Sequence, residues 1–310
     1  MGILLAMQGA VSQGVLWGIM TLGVYMTFRI LNIADMTCDG SFALGGAASA
    51  TLIAAGAPPL LSLVVAFLAG VLAGAVTGFV HTKLKIHEIL AGILSMIALY
   101  SIKIRVMGRP NTSLLGMSTV MGDLCALLRW DAIDMKSTAS LITGVLFSVA
   151  LVAALYWFCG TEIGSALRAT GNNERMVRAV GVDTDKMKVL GLMLSNGLIA
   201  LSGALVAQSQ GYADVGMGQG TIVVGLASII FGEVIFGRHF GFWYSLLGVV
   251  LGSVVYRIII AVVLQLGLKS TDLKLLTAII VTLALSIPVI KKKTKRRAAL
   301  PAAPQEATNA

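Results

Sequence analysis

The longest polar stretch with helical order in this chain runs from Thr161 to Lys188: Thr-Glu-Ile-Gly-Ser-Ala-Leu-Arg-Ala-Thr-Gly-Asn-Asn-Glu-Arg-Met-Val-Arg-Ala-Val-Gly-Val-Asp-Thr-Asp-Lys-Met-Lys. Leu167, Thr170, Glu174 and Arg178 fall at the three- and four-residue spacing of one helix face, and Met176, Val177 and Val180 add a small apolar patch. Gly171-Asn172 and Gly181 are natural helix interruptions, so the spacing predicts two short helices with charges outward. Such a feature suits a grip for a soluble partner. A second polar set, Asn32-Ile33-Ala34-Asp35-Met36-Thr37-Cys38-Asp39-Gly40, holds two carboxylates beside long apolar runs, where charge is costly unless it meets water, protein or a partner. Asp39 suits the cap of a helix starting at Gly40 or Ser41 and Asp35 suits a turn; the alternative is that both line a solute pathway.

No other residues group into a chemical constellation. His81, His87 and His239 are scattered, and Cys38, Cys125 and Cys159 lie too far apart for metal-ligand spacing. The sequence contains no G-x-x-x-x-G-K-[ST] phosphate loop. The expectation is no catalytic residue, no metal and no cofactor on this chain.

The surroundings of these polar sets are apolar. Of 310 residues, 57% are hydrophobic and 12% charged, with mean hydropathy +0.91, against the ~25% charge of soluble domains. This nearly excludes a soluble enzyme and predicts an integral membrane protein. Low aromatic content (6%), 35 glycines and uninterrupted runs such as Leu60 to Val80 favour close-packed helices over a β-barrel, so the fold class is all-α. Nine segments approach the ~20 residues of a membrane span. They are Val11–Leu31, Ser41–Gly56, Leu60–Lys83, Ile89–Val106, Ala139–Phe158, Val189–Ser209, Thr221–Phe236, Phe242–Leu264 and Leu273–Ile290, or eight if one short segment does not cross.

Residues 1–290 then form one transmembrane domain, with a basic, disordered cytoplasmic tail over 291–310. Met1 to Gln8 has no basic residue, so the first helix is expected to stay in the mature protein. The net charge of +9 is concentrated in Lys291, Lys292, Lys293, Lys295, Arg296 and Arg297, a topology signal rather than a nucleic-acid face. Lys83 with Lys85, Arg168 to Lys188 and the tail all fall on one side of the membrane in this span count, which predicts a cytoplasmic C-terminus and an outside N-terminus.

The chain also repeats itself. Gly40-Ser41-Phe42-Ala43-Leu44-Gly45-Gly46-Ala47 matches Gly220-Thr221-Ile222-Val223-Val224-Gly225-Leu226-Ala227, and Gly70-Val71, Gly74 and Val76 match Gly248-Val249, Gly252 and Val254. With the halves at about 32–106 and 211–290, the copies have opposite orientation, the first starting at the cytoplasmic side and the second at the outer side. Both begin with a segment of about 16 residues, short for a span. Short, glycine-interrupted segments at matching places predict broken helices along a translocation pathway, with Asn32, Asp35, Asp39, Ser41, Gly45, Thr221 and Gly225 as lining candidates.

The pattern Thr-Glu-x-Gly-x-Ala-Leu-Arg-Ala-x-Gly-Asn-Asn, followed by an apolar-Gly-apolar step and Lys186, resembles the coupling loop of permease subunits of ATP-binding cassette importers of the branched-chain amino-acid and ribose type. Asn32 to Ala47 resembles the same family, the likeness covers residues 10 to 290, and the tryptophan/tyrosine permease subgroup is the nearest match in pattern. The resemblance implies that Arg168, Gly171, Asn172, Asn173, Glu174, Arg175 and Gly181 lie at or beside the contact with a separate ATPase subunit. It further implies ATP and Mg on that partner, a second permease copy or paralogue, an extracytoplasmic solute-binding protein, and a place in the bacterial cytoplasmic membrane. The solute is expected to be an amino acid, aromatic or branched, with nucleosides or sugars as alternatives. A secondary transporter driven by an ion gradient would share the repeat but needs buried coupling carboxylates, for which Asp35, Asp39 and Glu233 are the candidates. A membrane-embedded enzyme would need a nucleophile or metal cluster, which the sequence lacks.

Overall fold

Apolar runs punctuated by proline and glycine become helices throughout. The computed structural model describes residues 2–129, 136–237 and 241–266, with isolated positions between 275 and 286. α1 (Gly2–Tyr25) passes directly into a π-helical turn (Met26–Leu31), and an extended segment leads to α2 (Cys38–Ala54). α3 (Pro59–Thr82) and α4 (Glu88–Met107) follow, then β1 (Asn111–Ser113), α5 (Val120–Leu127) and α6 (Lys136–Gly160). Next come α7 (Glu162–Asn172), α8 (Glu174–Ala179), α9 (Thr184–Gln210), β2 (Tyr212–Asp214), α10 (Thr221–Phe236) and α11 (Phe242–Gln265). Six of these helices are long and apolar enough to cross a membrane, while α10 and α2 are shorter, at 16 and 17 residues.

Eight of the nine apolar segments are therefore helices. The ninth, Leu273–Ile290, falls mostly outside the described residues, and the basic tail lies wholly outside them. Pro59 opens α3 at the position where a missing N–H costs nothing, and Gly211 in the left-handed region (φ 83°) closes α9. At that end β1 and β2 pair antiparallel, Asn111 opposite Asp214, which joins the exit of α4 to the exit of α9. α7 and α8 form the opposite end.

Small residues set the packing. Gly70, Gly74 and Gly78 lay α3 against the backbone of α9 at Asn196, Leu192 and Val189, and Gly203 brings α9 onto the Phe42 carbonyl of α2. In a membrane, where apolar surface gains little by leaving lipid, such close approach is what holds helices together. The contacts also carry the repeat. Ser195 Oγ donates to the Gly23 carbonyl and Ser202 Oγ to the Leu16 carbonyl, each at 2.8 Å; Leu16 to Ser195 and Gly23 to Ser202 are both shifts of 179 residues, so each contact is the image of the other. Gly14 and Gly18 seat α1 on Val254 and Val250 of α11, as Gly197 seats α9 on Val71 of α3. Position numbers rise on one helix as they fall on its partner, so the packed helices run antiparallel and the repeat is inverted.

One expectation is corrected. α2 and α10 do not start at opposite faces of the bundle. Both start in its middle, because residues 32–37 and 215–220 turn back inward before helix resumes, and the start of α10 bonds to Asp39 at the start of α2.

Gly74→Leu pushes against the Leu192 carbonyl and should destabilise the bundle by about 1–3 kcal/mol, an overpacking cost. In detergent its thermal midpoint falls by several degrees, whereas Gly9→Leu, with open space around it, leaves the midpoint unchanged. Equal midpoints for the two variants would contradict the close α3–α9 contact.

Candidate functional site

The two inward-turning segments meet at a cluster of polar side chains halfway along α9. Asp35 is 3% exposed. Its Oδ1 accepts the Thr37 N–H at 2.8 Å and its Oδ2 accepts Asn196 Nδ2 at 2.7 Å. Asn196 Oδ1 in turn accepts the Ser41 hydroxyl at 2.6 Å, and Thr37 Oγ1 lies 2.9 Å from Thr77 Oγ1. Asp39 does not cap its own helix. Its carboxylate reaches across to the start of α10, accepting Gly220 N–H at 2.8 Å, Thr221 Oγ1–H at 2.7 Å and Ile222 N–H at 3.0 Å. The positive ends of two half-helices thus converge, each met by a carboxylate of the chain itself.

Lys103 of α4 stands near this cluster. It is 6% exposed, lies 5.1 Å from the Tyr100 ring centroid, and makes no ion pair among the described residues; Asp39 and Asp214 are the carboxylates whose charge reaches it. Farther toward the strands, Gln208 Nε2 donates to Ser49 and Ser62 while its Oε1 accepts the Val120 N–H. Asn196, Thr77, Lys103 and Gln208 were not singled out from sequence, although each is a polar residue within or at the edge of an apolar run. That interruption was the available signal.

Of the other pathway candidates, Asn32 is exposed in the left-handed region (φ 57°) just after the π-helical turn. Ser41 and Thr221 are buried in the polar cluster. Gly45 packs on the Ala200 carbonyl, and Gly225 on Val24 and Met20, so both serve helix contact within this chain.

The polar stretch forms the predicted elbow. Thr161, Asn173 and Asp183 cap α7, α8 and α9 in succession. Glu174 folds the elbow back on itself, taking Lys188 Nζ at 2.8 Å, Arg178 Nη2 at 3.0 Å and Thr184 Oγ1 at 3.3 Å. The Lys188 bond, with the charges of Lys188 and Arg178, holds the Glu174 carboxyl below the usual glutamate range. Gly171 seats α7 on the Ile30 carbonyl of the π-helical turn. Arg168 stacks on the Phe242 ring at 4.7 Å. Asn172, Asn173, Arg175, Met176, Val180 and Gly181 form the exposed ridge, with Met176 55% and Val180 76% exposed.

The same turn is tied to the second half of the chain. Arg29 Nε bonds Glu233 Oε1 at 2.7 Å and Arg29 Nη2 bonds Oε2 at 2.5 Å, joining the end of α1 to the end of α10. Arg257 turns inward over the Trp17 ring at 4.0 Å.

An inverted bundle whose two half-helices meet head to head, with a polar elbow at one end, has the build of a membrane-embedded permease. The family model described as "Branched-chain amino acid transport system / permease component" matches residues 6–286, and the chain belongs to that family. It is thus a multi-pass permease component of the ATP-binding cassette transporter family. It is 38% identical to the tyrosine transport system permease protein of Clostridioides difficile R20291 over 89% of this chain and 90% of that protein. It is 24% identical to the ribose import permease protein of Escherichia coli K12 over 86% and 80%. The solved structure of PsaBC from Streptococcus pneumoniae in complex with Fab shares the fold, with TM-score 0.51 and 14% identity over 89% of this chain and 90% of that one.

The Glu174 staple should be acid-labile. Its depressed carboxyl contributes stability above the ordinary glutamate pKa and loses it as pH falls through the folded value. Being partly exposed, the cluster contributes under about 1 kcal/mol. Cleavage by an acid-active protease within 174–182 should rise as pH drops below about 4.5, and with a neutral protease at pH 7 Glu174→Gln should be cleaved there faster than wild type. An equal cleavage rate in wild type and Glu174→Gln at pH 7 would refute the staple.

Proposed function

We propose that this chain is one of two permease subunits, identical or paralogous, of an ATP-driven importer, and that the α7–α8 elbow receives the force of a separate ATPase subunit. One contact carries this reading: Gly171 sits on the Ile30 carbonyl, so a push on α7 bears directly on the turn that leads into Asp35 and Asp39. The exposed ridge of Asn172, Asn173, Arg175, Met176 and Val180, with Gly181 at its bend, is the surface offered to the ATPase, while Glu174 braces it from behind. ATP and Mg belong to that partner, and this chain transports without catalysis.

In this reading the elbow end is cytoplasmic in a bacterial inner membrane, the N-terminus lies outside, and an extracytoplasmic solute-binding protein docks near β1 and β2. The solute is a small molecule, an amino acid with an aromatic or branched side chain, a reading supported by the tyrosine permease relative. The polar cluster fits a zwitterion better than an anion, because Asp35 and Asp39 already occupy the helix starts that would otherwise attract negative charge. The three carboxylates considered for ion coupling are each engaged by partners: Asp35 by Asn196, Asp39 by α10 and Glu233 by Arg29.

Reconstituted with its ATPase subunits and solute-binding protein, the Met176→Asp/Val180→Asp variant should lose solute-stimulated ATP hydrolysis by about tenfold or more, since buried apolar anchors dominate such interfaces. Unchanged hydrolysis, or ion-gradient-driven uptake of solute by the chain alone in liposomes, would overturn the assignment.

A further inference from the structure

We propose that the crevice between the end of α6, the start of α7 and the start of α11 binds the headgroup of an anionic phospholipid, with Arg168 as its cation. The crevice has a volume of about 520 Å³ and is walled by Tyr156, Trp157, Thr161, Arg168, Phe242 and Trp243. Two candidate spans define its depth. Gly160 is the last residue of one and Phe242 the first of the other, so the crevice opens where helices leave the hydrocarbon and headgroups begin.

Its chemistry suits that level. Trp157, Tyr156 and Trp243 are 74%, 53% and 50% exposed, the aromatic composition of a membrane boundary. Arg168 makes no hydrogen bond or ion pair among the described residues, and its guanidinium carbon lies 4.7 Å from the centre of the Phe242 ring. That cation–π contact does not neutralise the charge and leaves the N–H groups of the guanidinium available to a phosphate. The rings then cover the glycerol and upper acyl chain, which a soluble phosphate lacks. Arg168 lies on α7, the same helix that presses Gly171 on the π-helical turn, so a bound lipid anchors that helix to the bilayer one turn before Asn172. This holds for α7 whatever partner the ridge engages.

The test uses the full chain in phosphatidylcholine nanodiscs, with phosphatidylglycerol titrated in and bound lipid counted by native mass spectrometry. Wild type should retain phosphatidylglycerol over phosphatidylcholine. Arg168→Gln should bind it about fivefold more weakly, the effect of one interfacial cation. Arg168→Lys should fall between, and Arg105→Gln, at the other end of the bundle, should match wild type. Equal binding by Arg168→Gln and wild type would overturn the proposal, as would full competition by equimolar glycerol phosphate, which would make the site a soluble-anion site. Independently of any variant, brominated phosphatidylglycerol should quench wild-type tryptophan fluorescence more than brominated phosphatidylcholine; equal quenching would also overturn it.

Discussion

A single carboxylate holds together two helices that belong to opposite halves of the chain. Asp39 sits in the first turn of α2 yet accepts two backbone N–H groups and a hydroxyl at the start of α10, some 180 positions away in sequence. Without it, the first turn of α10 would present unsatisfied N–H donors midway along the bundle. Capping of this kind is worth about 0.5–2 kcal/mol in soluble helices. The meeting of the half-helices, the inward turns before them and the polar cluster beside them all follow from that placement.

The polar cluster and the elbow are connected through covalent backbone and one tight contact. The π-helical turn of Met26–Leu31 touches α7 at Ile30, pairs with α10 through Arg29 and Glu233, and continues through residues 32–37 to Asp35. A π-helical turn is strained relative to an α-helix and tends to occur where function requires it. Here it stands where the elbow meets both half-helices, so displacement of α7 is felt by α2 through the chain and by α10 through the ion pair. Rigid glycine-packed contacts of α3 with α9 and of α1 with α11 flank this joint and would move as units.

Local signals in the sequence were legible and long-range ones were not. Hydrophobic runs gave eight helices, and the caps Thr161, Asn173 and Asp183 bound the elbow close to where Gly171-Asn172 and Gly181 suggest interruptions. The short lengths of Ser41–Gly56 and Thr221–Phe236 marked the broken helices. What composition and spacing leave open is which helix a polar residue serves. Asp39 next to Gly40 reads as a cap for its own helix, yet the fold gives it to α10, and Arg29 near a helix end reads as a headgroup anchor, yet it pairs with Glu233. Asn196 and Lys103 are polar residues within apolar runs, and their meaning exists only once α2, α4 and α9 are side by side.

The most direct measurement is amide hydrogen exchange at Gly220 and Ile222 in the intact bundle, comparing wild type with Asp39→Ala. Strong protection in wild type and exchange faster by about ten- to thirtyfold in the variant, equivalent to about 1–2 kcal/mol, is the result expected from the shared cap. Exchange at both amides that is indifferent to the loss of the Asp39 carboxylate would contradict the union of the two half-helices at that side chain.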